Sequence, residues 1–192
     1  MSLRKRLIVS MLTILALLCV NVGTHFWGSV ARNESMVAYR DSVRAGQLSD
    51  EIERLLEDQR QQVLVLALLK DTTGDNLGAI EQQAALDNIA IINRKVLSLG
   101  RLSWENTDET YQNLKKANDQ LLQQWTLFYE AYNEGELAID VENPLLYLDT
   151  NQQLDALKQE QSKLAVERAS IIDSTIKLTD RITVLAFLTT LF

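Results

Sequence analysis

The sequence predicts an all-α protein: an antiparallel up-down-up-down four-helix bundle with an N-terminal transmembrane helix and the start of a second one. Three observations predict this class. The 192 residues include only one proline and seven glycines. Leu, Ala, Gln, Glu and Lys are abundant, and these residues lose little rotamer freedom in a helix. Four stretches with helical periodicity lie between two apolar segments, and short connections between such helices favour an up-down bundle.

The first apolar segment, residues 7–27, is long enough to cross a bilayer, which takes roughly 20 apolar residues. The triplet Arg4-Lys5-Arg6 precedes it, and basic flanks stay in the cytoplasm. We therefore expect residues 1–29 to contain a cytoplasmic basic start and transmembrane helix 1 of an inner-membrane protein. A cleaved signal peptide is the alternative, because Ser29-Val30-Ala31 resembles a cleavage site, although the apolar run is longer than the usual signal core.

Residues 182–192 begin a second apolar run, about half as long as a span needs. We expect them to be the truncated start of transmembrane helix 2. The segment between the two runs, residues 30–181, is then a periplasmic four-helix-bundle sensor domain. It holds all 26 acidic residues and all but three of the 19 basic ones. This acidic balance provides no basic stripe, so we expect no nucleic acid as a partner.

Cysteine and histidine are scarce, whereas the plentiful carboxylates are interpreted as solvated residues on helix faces. Cys19 is the only cysteine and His25 is the only histidine, and both lie in or beside the first apolar segment. Ser-His, Cys-His and His-metal sites are therefore not expected. The stretch Gly74–Gly78 lacks the lysine and the preceding strand of a phosphate-binding loop. We expect no enzyme activity, no catalytic residues, no metal and no cofactor.

The first helix is predicted to continue out of the membrane as far as Asp71. The turn composition of Thr72–Asn76 ends it, and Gly74 suits the end of a helix. Its predicted seam has the alternating four- and three-residue spacing of helices that pack along their length. The seam consists of Leu48, Ile52, Leu55, Gln59, Gln62, Leu66 and Leu69.

Two shorter helices follow. The second is predicted over residues 77–103. The third is predicted to begin after an N-cap at Asn106, with Glu109 at the third helical position, and to stop near Gly135. The predicted inward residues are Ala85, Ile89, Ile92, Val96, Leu99 and Leu102 on the second helix, and Leu114, Leu121, Trp125, Phe128 and Tyr132 on the third.

The fourth helix is predicted after a long irregular stretch, Glu134–Asp149, which contains the single proline. The sequence Thr150-Asn151-Gln152-Gln153 has the form of a capping box and is predicted to start this helix. A heptad seam then runs into the second apolar segment, which predicts a rigid connection to the membrane. The seam consists of Leu157, Leu164, Ile171, Leu178 and Leu185, with companions at Leu154, Gln161, Arg168, Thr175 and Ile182.

Five polar residues interrupt the two long seams, and they have two interpretations. They are either solvated residues at the edge of the core, or positions in a homodimer interface, where polar residues set the register. The extent of the seams on both membrane-connected helices leads us to expect a homodimer. The five residues are Gln59, Gln62, Gln161, Arg168 and Thr175.

A candidate ligand site lies at the pole that is expected to be far from the membrane. Arg54 and Arg60 are candidate anion contacts, because a guanidinium binds a carboxylate through two hydrogen bonds. Acids lie close to both in sequence, so a surface ion pair is the simpler role for each. Tyr129 and Tyr147 are candidates to line a pocket, since their hydroxyls need a wet or bonded end.

The layout of the whole chain resembles the periplasmic four-helix-bundle sensor domain of methyl-accepting chemotaxis receptors. The stretch from Thr110-Tyr111-Gln112-Asn113-Leu114 through Tyr129-Glu130-Ala131-Tyr132 is similar to the third helix of that family. The resemblance covers nearly all 192 residues and depends on helical pattern more than on particular residues.

The resemblance also implies a ligand site. In the aspartate- and serine-sensing members, arginines on the first helix grip the carboxylates of the amino acid across the dimer interface, and the start of the fourth helix holds the amino group. The first of these arginine positions corresponds to Arg60, whereas the next two carry Val65 and Leu69. Tyr147, Asp149 and Thr150 fall near the fourth-helix part of that site.

The expected function is ligand sensing and transmembrane signalling by a bacterial chemoreceptor-type transducer. A small molecule or a periplasmic binding protein would bind at the distal pole and displace helix 4. The alternatives are the sensor domain of a histidine kinase or nucleotide cyclase, and a membrane-tethered scaffold that binds another protein. The predicted ligand-binding residues are Arg60, Tyr129, Tyr147, Asp149 and Thr150.

Overall fold

The computed structural model describes residues 3–102, 108–134 and 144–191, and the described residues form four α-helices and no β-strand. The predicted all-α class is therefore confirmed for these residues. The N-cap predicted at Asn106 and the helix end predicted near Gly135 lie outside them. The helices are α1 (Leu3–Thr73), α2 (Ala79–Leu99), α3 (Asp108–Ala131) and α4 (Leu145–Leu191).

The chain divides into two compact units, each of which contains parts of α1 and α4. We call Asp41–Lys163 the four-helix unit, and Met1–Arg40 together with Leu164–Phe192 the two-helix unit. This division follows packing and does not locate a bilayer. The predicted boundaries at residues 29/30 and 181/182 therefore stay predictions.

The core of the four-helix unit takes side chains from all four helices. At its aromatic centre, the Phe128 ring meets the rings of Tyr129 and Tyr132 edge-on, with centroids 5.3 and 5.6 Å apart. The inward faces predicted for α2 and α3 are confirmed, except that Leu102 lies beyond the end of α2 and is half-buried. The buried residues are Ala85, Ile89, Ile92, Val96 and Leu99 of α2, Leu114, Leu121, Trp125 and Phe128 of α3, and Tyr132, one residue beyond the end of α3.

The seam predicted for α1 is only partly correct. Ile52 and Gln59 are buried as predicted, but Gln62 is exposed and Leu69 is 44% exposed. The observed and predicted seams have the same spacing and share Ile52 and Gln59, so periodicity alone cannot choose between them. The other α1 residues that are buried in this unit are Ser42, Ala45, Ser49, Leu56 and Val63.

The connection between α1 and α2 is fixed at both ends. Gly74 ends α1 as predicted: its φ is +71°, a left-handed conformation that glycine adopts without a Cβ clash, and its N–H donates to the carbonyl of Lys70 at 3.0 Å. The side-chain amide of Asn133, just beyond α3, holds Leu77 through bonds of 2.8 and 3.0 Å to its backbone N–H and carbonyl. This clamp attaches the connection to the end of α3.

The start predicted for α4 is wrong. The helix begins at Leu145, five residues before Thr150, and its first backbone bond runs from the Leu148 N–H to the Pro144 carbonyl at 2.8 Å. Proline fits this boundary, because its missing N–H costs nothing where a helix begins. The Thr150 hydroxyl is not a cap, because it donates to the Leu146 carbonyl one turn earlier in the same helix, at 2.8 Å.

The two-helix unit packs through small residues. Its buried residues, among those described, are Gly28 and Ser35 of α1 and Thr175 and Thr179 of α4. A Cβ placed on Gly28 would lie 2.8 Å from the Thr179 hydroxyl oxygen, so the two helices approach closely there. The predicted heptad seam is only partly correct in this unit: Thr175 is buried as predicted, but Leu178 is 47% exposed and Leu185 is 62% exposed.

α1 is long and apolar enough to span a membrane, and none of its most apolar 18-residue window is buried. The large apolar side chains between Leu7 and Trp27 face outward, with Met11 70% exposed and Phe26 72% exposed. The coarse prediction of a membrane-compatible N-terminal helix therefore holds.

Candidate functional site

A polar cluster joins α1 to α4 at the predicted site. The Tyr147 hydroxyl donates to Glu57 Oε2 at 2.5 Å, and the same oxygen lies 3.4 Å from Arg60 Nη1. The Arg60 guanidinium carbon lies 4.6 Å from the centroid of the Tyr147 ring, in cation–π range. Two of the five predicted residues, Arg60 and Tyr147, are thus brought together, with Glu57 between them.

The electrostatics of this cluster favour an ionised Glu57. The hydrogen bond from Tyr147 is the largest cause that lowers the pKa of the Glu57 carboxyl; bonds from Gln61 and Arg60 add to it, and burial opposes it. Burial is the main cause that raises the pKa of Tyr147, followed by its bond to Glu57. The ion pair expected for Arg60 is present, so its guanidinium already has a carboxylate contact without a ligand.

The other three predicted residues have different surroundings. Tyr129 is fully buried, its hydroxyl accepts from Gln59 Nε2 at 2.6 Å, and burial raises the pKa of this phenol to about 12. Thr150 is fully buried and is bonded within α4. Asp149 is exposed and accepts from Gln153 Nε2 at 3.3 Å. The five predicted residues therefore do not all converge on one point.

The polar residues of the predicted seams differ in their burial. Gln59, Gln161 and Thr175 are buried within one copy of the chain, whereas Gln62 is exposed. Gln59 is fixed by its bond to Tyr129, and the Thr175 hydroxyl donates to the Ile171 carbonyl at 2.8 Å. For these two residues, contacts within one copy of the chain explain the buried position. The buried Gln161 Nε2 has no hydrogen-bond partner among the described residues.

The sequence analysis missed a cleft on the opposite side of this polar contact, formed by α1, α2, α3 and the α1–α2 connection. It has a volume of about 740 Å³, within the range of about 300–1,000 Å³ that small-molecule sites occupy. Val65, Leu66, Leu69, Leu77 and Ala85 give it an apolar wall. Tyr129 and Tyr132 line its inner end.

Both tyrosines at the inner end have their hydroxyls engaged elsewhere. The Tyr132 hydroxyl donates to the Leu66 carbonyl at 3.0 Å, and that of Tyr129 is bonded to Gln59. The backbone carbonyl of Tyr129 accepts from Gln82 Nε2 at 2.7 Å. Both side chains are almost fully buried, at 0% and 2% exposure, so the rings form the floor behind the cleft and present almost no surface to it.

The acidic residues at the cleft are Asp75, in the connection, and Glu81, in the first turn of α2. Glu81 Oε2 accepts from the Gly78 N–H at 3.0 Å, which fixes the side chain at the start of the helix. Lys70 lies next to the cleft: its ammonium is 5.2 Å from the Tyr132 ring centroid and donates to Asn76 Oδ1 at 2.9 Å. None of the residues described as lining the cleft is basic.

Sequence alone offered little signal for this cleft, because its walls come from segments that are far apart in the chain. Among the described residues, no group of three or more His, Cys, Asp or Glu side chains is placed to hold a metal ion. No protein-family model, curated protein or solved structure matches this chain.

Proposed function

We propose that this chain is the extracytoplasmic sensing and transmembrane signalling part of a bacterial chemoreceptor-type transducer, in which ligand binding at the membrane-distal pole displaces α4 relative to α1. One observation carries the proposal. α4 is a single helix from Leu145 to Leu191 that packs against α1 both in the core of the four-helix unit and in the two-helix unit. A shift at its start therefore reaches its end without crossing a break in the helix.

Contacts within the four-helix unit support an antiparallel up-down-up-down bundle. Tyr147 contacts Glu57 while the later residue Lys158 contacts the earlier residue Glu53, as antiparallel helices require. The α3 residues Tyr129 and Tyr132 meet progressively later residues of α1, which fits two parallel helices. Lys95 of α2 contacts Glu51 of α1 at 2.8 Å, far from the connection, which fits a reversed α2.

The two-helix unit has features that favour a bilayer around α1. α1 is long and apolar enough to cross a bilayer, and none of its most apolar 18-residue window is buried. Small residues at the contact between α1 and α4 allow the two helices to approach closely. Contacts between membrane helices are often of this kind, because lipid provides no hydrophobic force that would hold the helices together. We propose the inner membrane, with the N-terminus in the cytoplasm and the four-helix unit in the periplasm.

We also propose a homodimer. Met36, Val37, Val43 and Ile176 leave between 39% and 51% of their surfaces exposed outside the most apolar segment, as do other apolar residues nearby. Exposed apolar positions on both long helices are typical of an interface with a second copy.

Membrane orientation is tested with single cysteines in a Cys19→Ser background. We expect Asp87→Cys to react with a membrane-impermeant maleimide in spheroplasts, and Lys5→Cys to react only after permeabilisation. Both residues are exposed, so accessibility within the fold is matched. The reverse labelling pattern would contradict the proposal.

Transmission is tested by fusing the chain to the cytoplasmic signalling body of a chemoreceptor. A bifunctional thiol reagent with a spacer about as long as the two native side chains would join Glu53→Cys to Lys158→Cys and fix α4 against α1; the native Lys158 Nζ and Glu53 Oε2 lie 2.8 Å apart. We expect the cross-link to lock kinase output at one level. The matched control is Gln83→Cys with Asp87→Cys, which the same reagent joins within α2. Equal output from the two cross-linked variants would contradict the proposed movement.

A further inference from the structure

We propose that the cleft between α1, α2 and α3 binds an organic ammonium ion, with its apolar body against Val65 and Leu69 and its cationic head near Asp75 and Glu81. This inference deepens the proposed function, because it names the ligand class that the sensing unit takes. It places the ligand on the face of α1 away from the Arg60–Tyr147 cluster.

The shape of the cleft favours a small molecule with an apolar body. Its volume of about 740 Å³ fits a compact organic ligand. Val65 is 57% exposed and Leu69 is 44% exposed, so a ligand that covered them would remove apolar surface from water. Tyr129 and Tyr132 are almost fully buried and have their hydroxyls engaged, so the exposed apolar surface of the cleft comes mainly from Val65 and Leu69.

The acidic side chains of the cleft favour a ligand with a positively charged head group. Asp75 and Glu81 are exposed carboxylates among its lining residues, and the described lining has no basic side chain. An anionic head would meet these carboxylates, whereas an ammonium gains charge-assisted hydrogen bonds from them. The amide oxygens of Gln61, Gln62 and Asn88 supply further acceptors.

Lys70 is a positive charge beside the cleft. Its ammonium lies 5.2 Å from the centroid of the Tyr132 ring and offsets part of the negative charge of Asp75 and Glu81. Lys70 is not one of the lining residues and is tied to Asn76. A bound ammonium would be repelled by it, and removing its charge would strengthen ammonium binding.

The test uses the full chain in zwitterionic lipid nanodiscs, with empty nanodiscs as the blank. Three probes share one apolar body and differ in head charge: 2-phenylethylammonium, 2-phenylethanol and phenylacetate. We expect calorimetry to give a Kd for the ammonium at least roughly tenfold lower than for the alcohol, with the carboxylate weakest. Equal binding of the three probes, tighter binding of the carboxylate, or no binding would overturn the proposal.

Matched variants then assign the site. Ala84→Leu fills the cleft and should weaken ammonium binding at least about tenfold, whereas Ala90→Leu makes the same change at an exposed position of α2 outside the cleft and should leave the Kd unchanged. An equal effect of both, or of neither, would overturn the proposed location.

Charge variants complete the test. Asp75→Asn should raise the ammonium Kd several-fold and Lys70→Gln should lower it, while Asp87→Asn, outside the cleft, is the control. A Kd that falls in Asp75→Asn, or one that rises in Lys70→Gln, would overturn the cationic ligand class. The inference and the proposed function fail separately: binding without periplasmic labelling of Asp87→Cys overturns only the function, and the reverse pattern overturns only the ligand.

Discussion

The two units of this chain use the same two long helices in different ways. In the four-helix unit, large aromatic and aliphatic side chains are buried, including Tyr129, Tyr132, Phe128, Ile52 and Leu56. In the two-helix unit, the buried residues that the structure describes are small or hydroxylated, and the large apolar ones face outward.

The two units bury different side chains because they contain different numbers of helices. Four helices enclose a space in which large side chains leave water, so burial stabilises the unit by itself. Two helices enclose no such space, and they come closest where their side chains are smallest. Within one copy of the chain, the large apolar side chains exposed on α1 in the two-helix unit, such as Met11 and Phe26, have no such space to enter.

The largest expected difference between the two units is in how each tolerates the loss of a phenylalanine ring. Phe128→Ala deletes a fully buried ring and should lower the free energy of unfolding by about 3–5 kcal/mol, through lost burial and the cavity left behind. Chemical unfolding of the full chain in detergent micelles, followed by tyrosine and tryptophan fluorescence, measures the change.

Phe26→Ala is the matched control in the two-helix unit, where the ring is 72% exposed. The expected change in the same assay is within about 0.5 kcal/mol. Similar losses for the two variants would show that the two units do not differ in the way described.

The second test breaks the close approach in the two-helix unit. Gly28→Leu places a side chain where even a Cβ would lie 2.8 Å from the Thr179 hydroxyl, and such overpacking costs about 1–3 kcal/mol. The reporter is a disulfide between His25→Cys and Thr183→Cys, whose native side chains are 2.9 Å apart, in a Cys19→Ser background. We expect cross-linking to slow at least about fivefold.

Gly23→Leu is the control, because nothing lies within 4 Å of a Cβ at that position. It should leave the cross-linking rate unchanged. A Gly28→Leu variant that cross-links as fast as the parent would show that the small residues do not set the distance between the helices.

The smallest expected effect concerns acid stability of the polar cluster. Because the folded-state pKa of Glu57 lies below its ordinary value of 4.5, its contribution to stability is present above that pH and is lost as pH falls through the folded-state value. Tyr147→Phe removes the main cause of the shift. We therefore expect the variant to lose less stability than the parent in this acid range.

The difference should be less than about 1 kcal/mol, because 38% of the Glu57 side chain is exposed to solvent. Unfolding free energies measured from pH 6 down to pH 3 (roughly 1.5 units on each side of the ordinary value) would reveal it. Tyr39→Phe, in the two-helix unit, is the control and should show the parent's pH dependence. A steeper acid loss in Tyr147→Phe would contradict the role of this bond.

Parts of the fold followed from local sequence. The inward faces of α2 and α3 were predicted correctly, because each helix has one continuous apolar face and no competing one. The turn at Gly74 was also predicted, since its left-handed backbone favours glycine over other residues. An ion pair for Arg60 was expected because acids lie close to it in the sequence, and Glu57, three residues earlier, supplies it.

Other features depended on distant parts of the chain. The bond between Gln59 and Tyr129 joins residues 70 apart, and the bond between Glu57 and Tyr147 joins residues 90 apart. The cleft likewise combines side chains from three helices and a connection. No periodic pattern along a single helix predicts such contacts between residues that are far apart in the chain.

The sequence by itself determined the helical class, the inward faces of the two shorter helices and an apolar N-terminal helix, because composition and periodicity act within a few turns. Only the tertiary structure decided which of two equally spaced seams α1 buries, that α4 begins before Thr150, and where a cleft opens beside Tyr129. The physical reason is that these outcomes depend on how neighbouring helices fill the space between them, and packing of that kind is a property of the assembled helices.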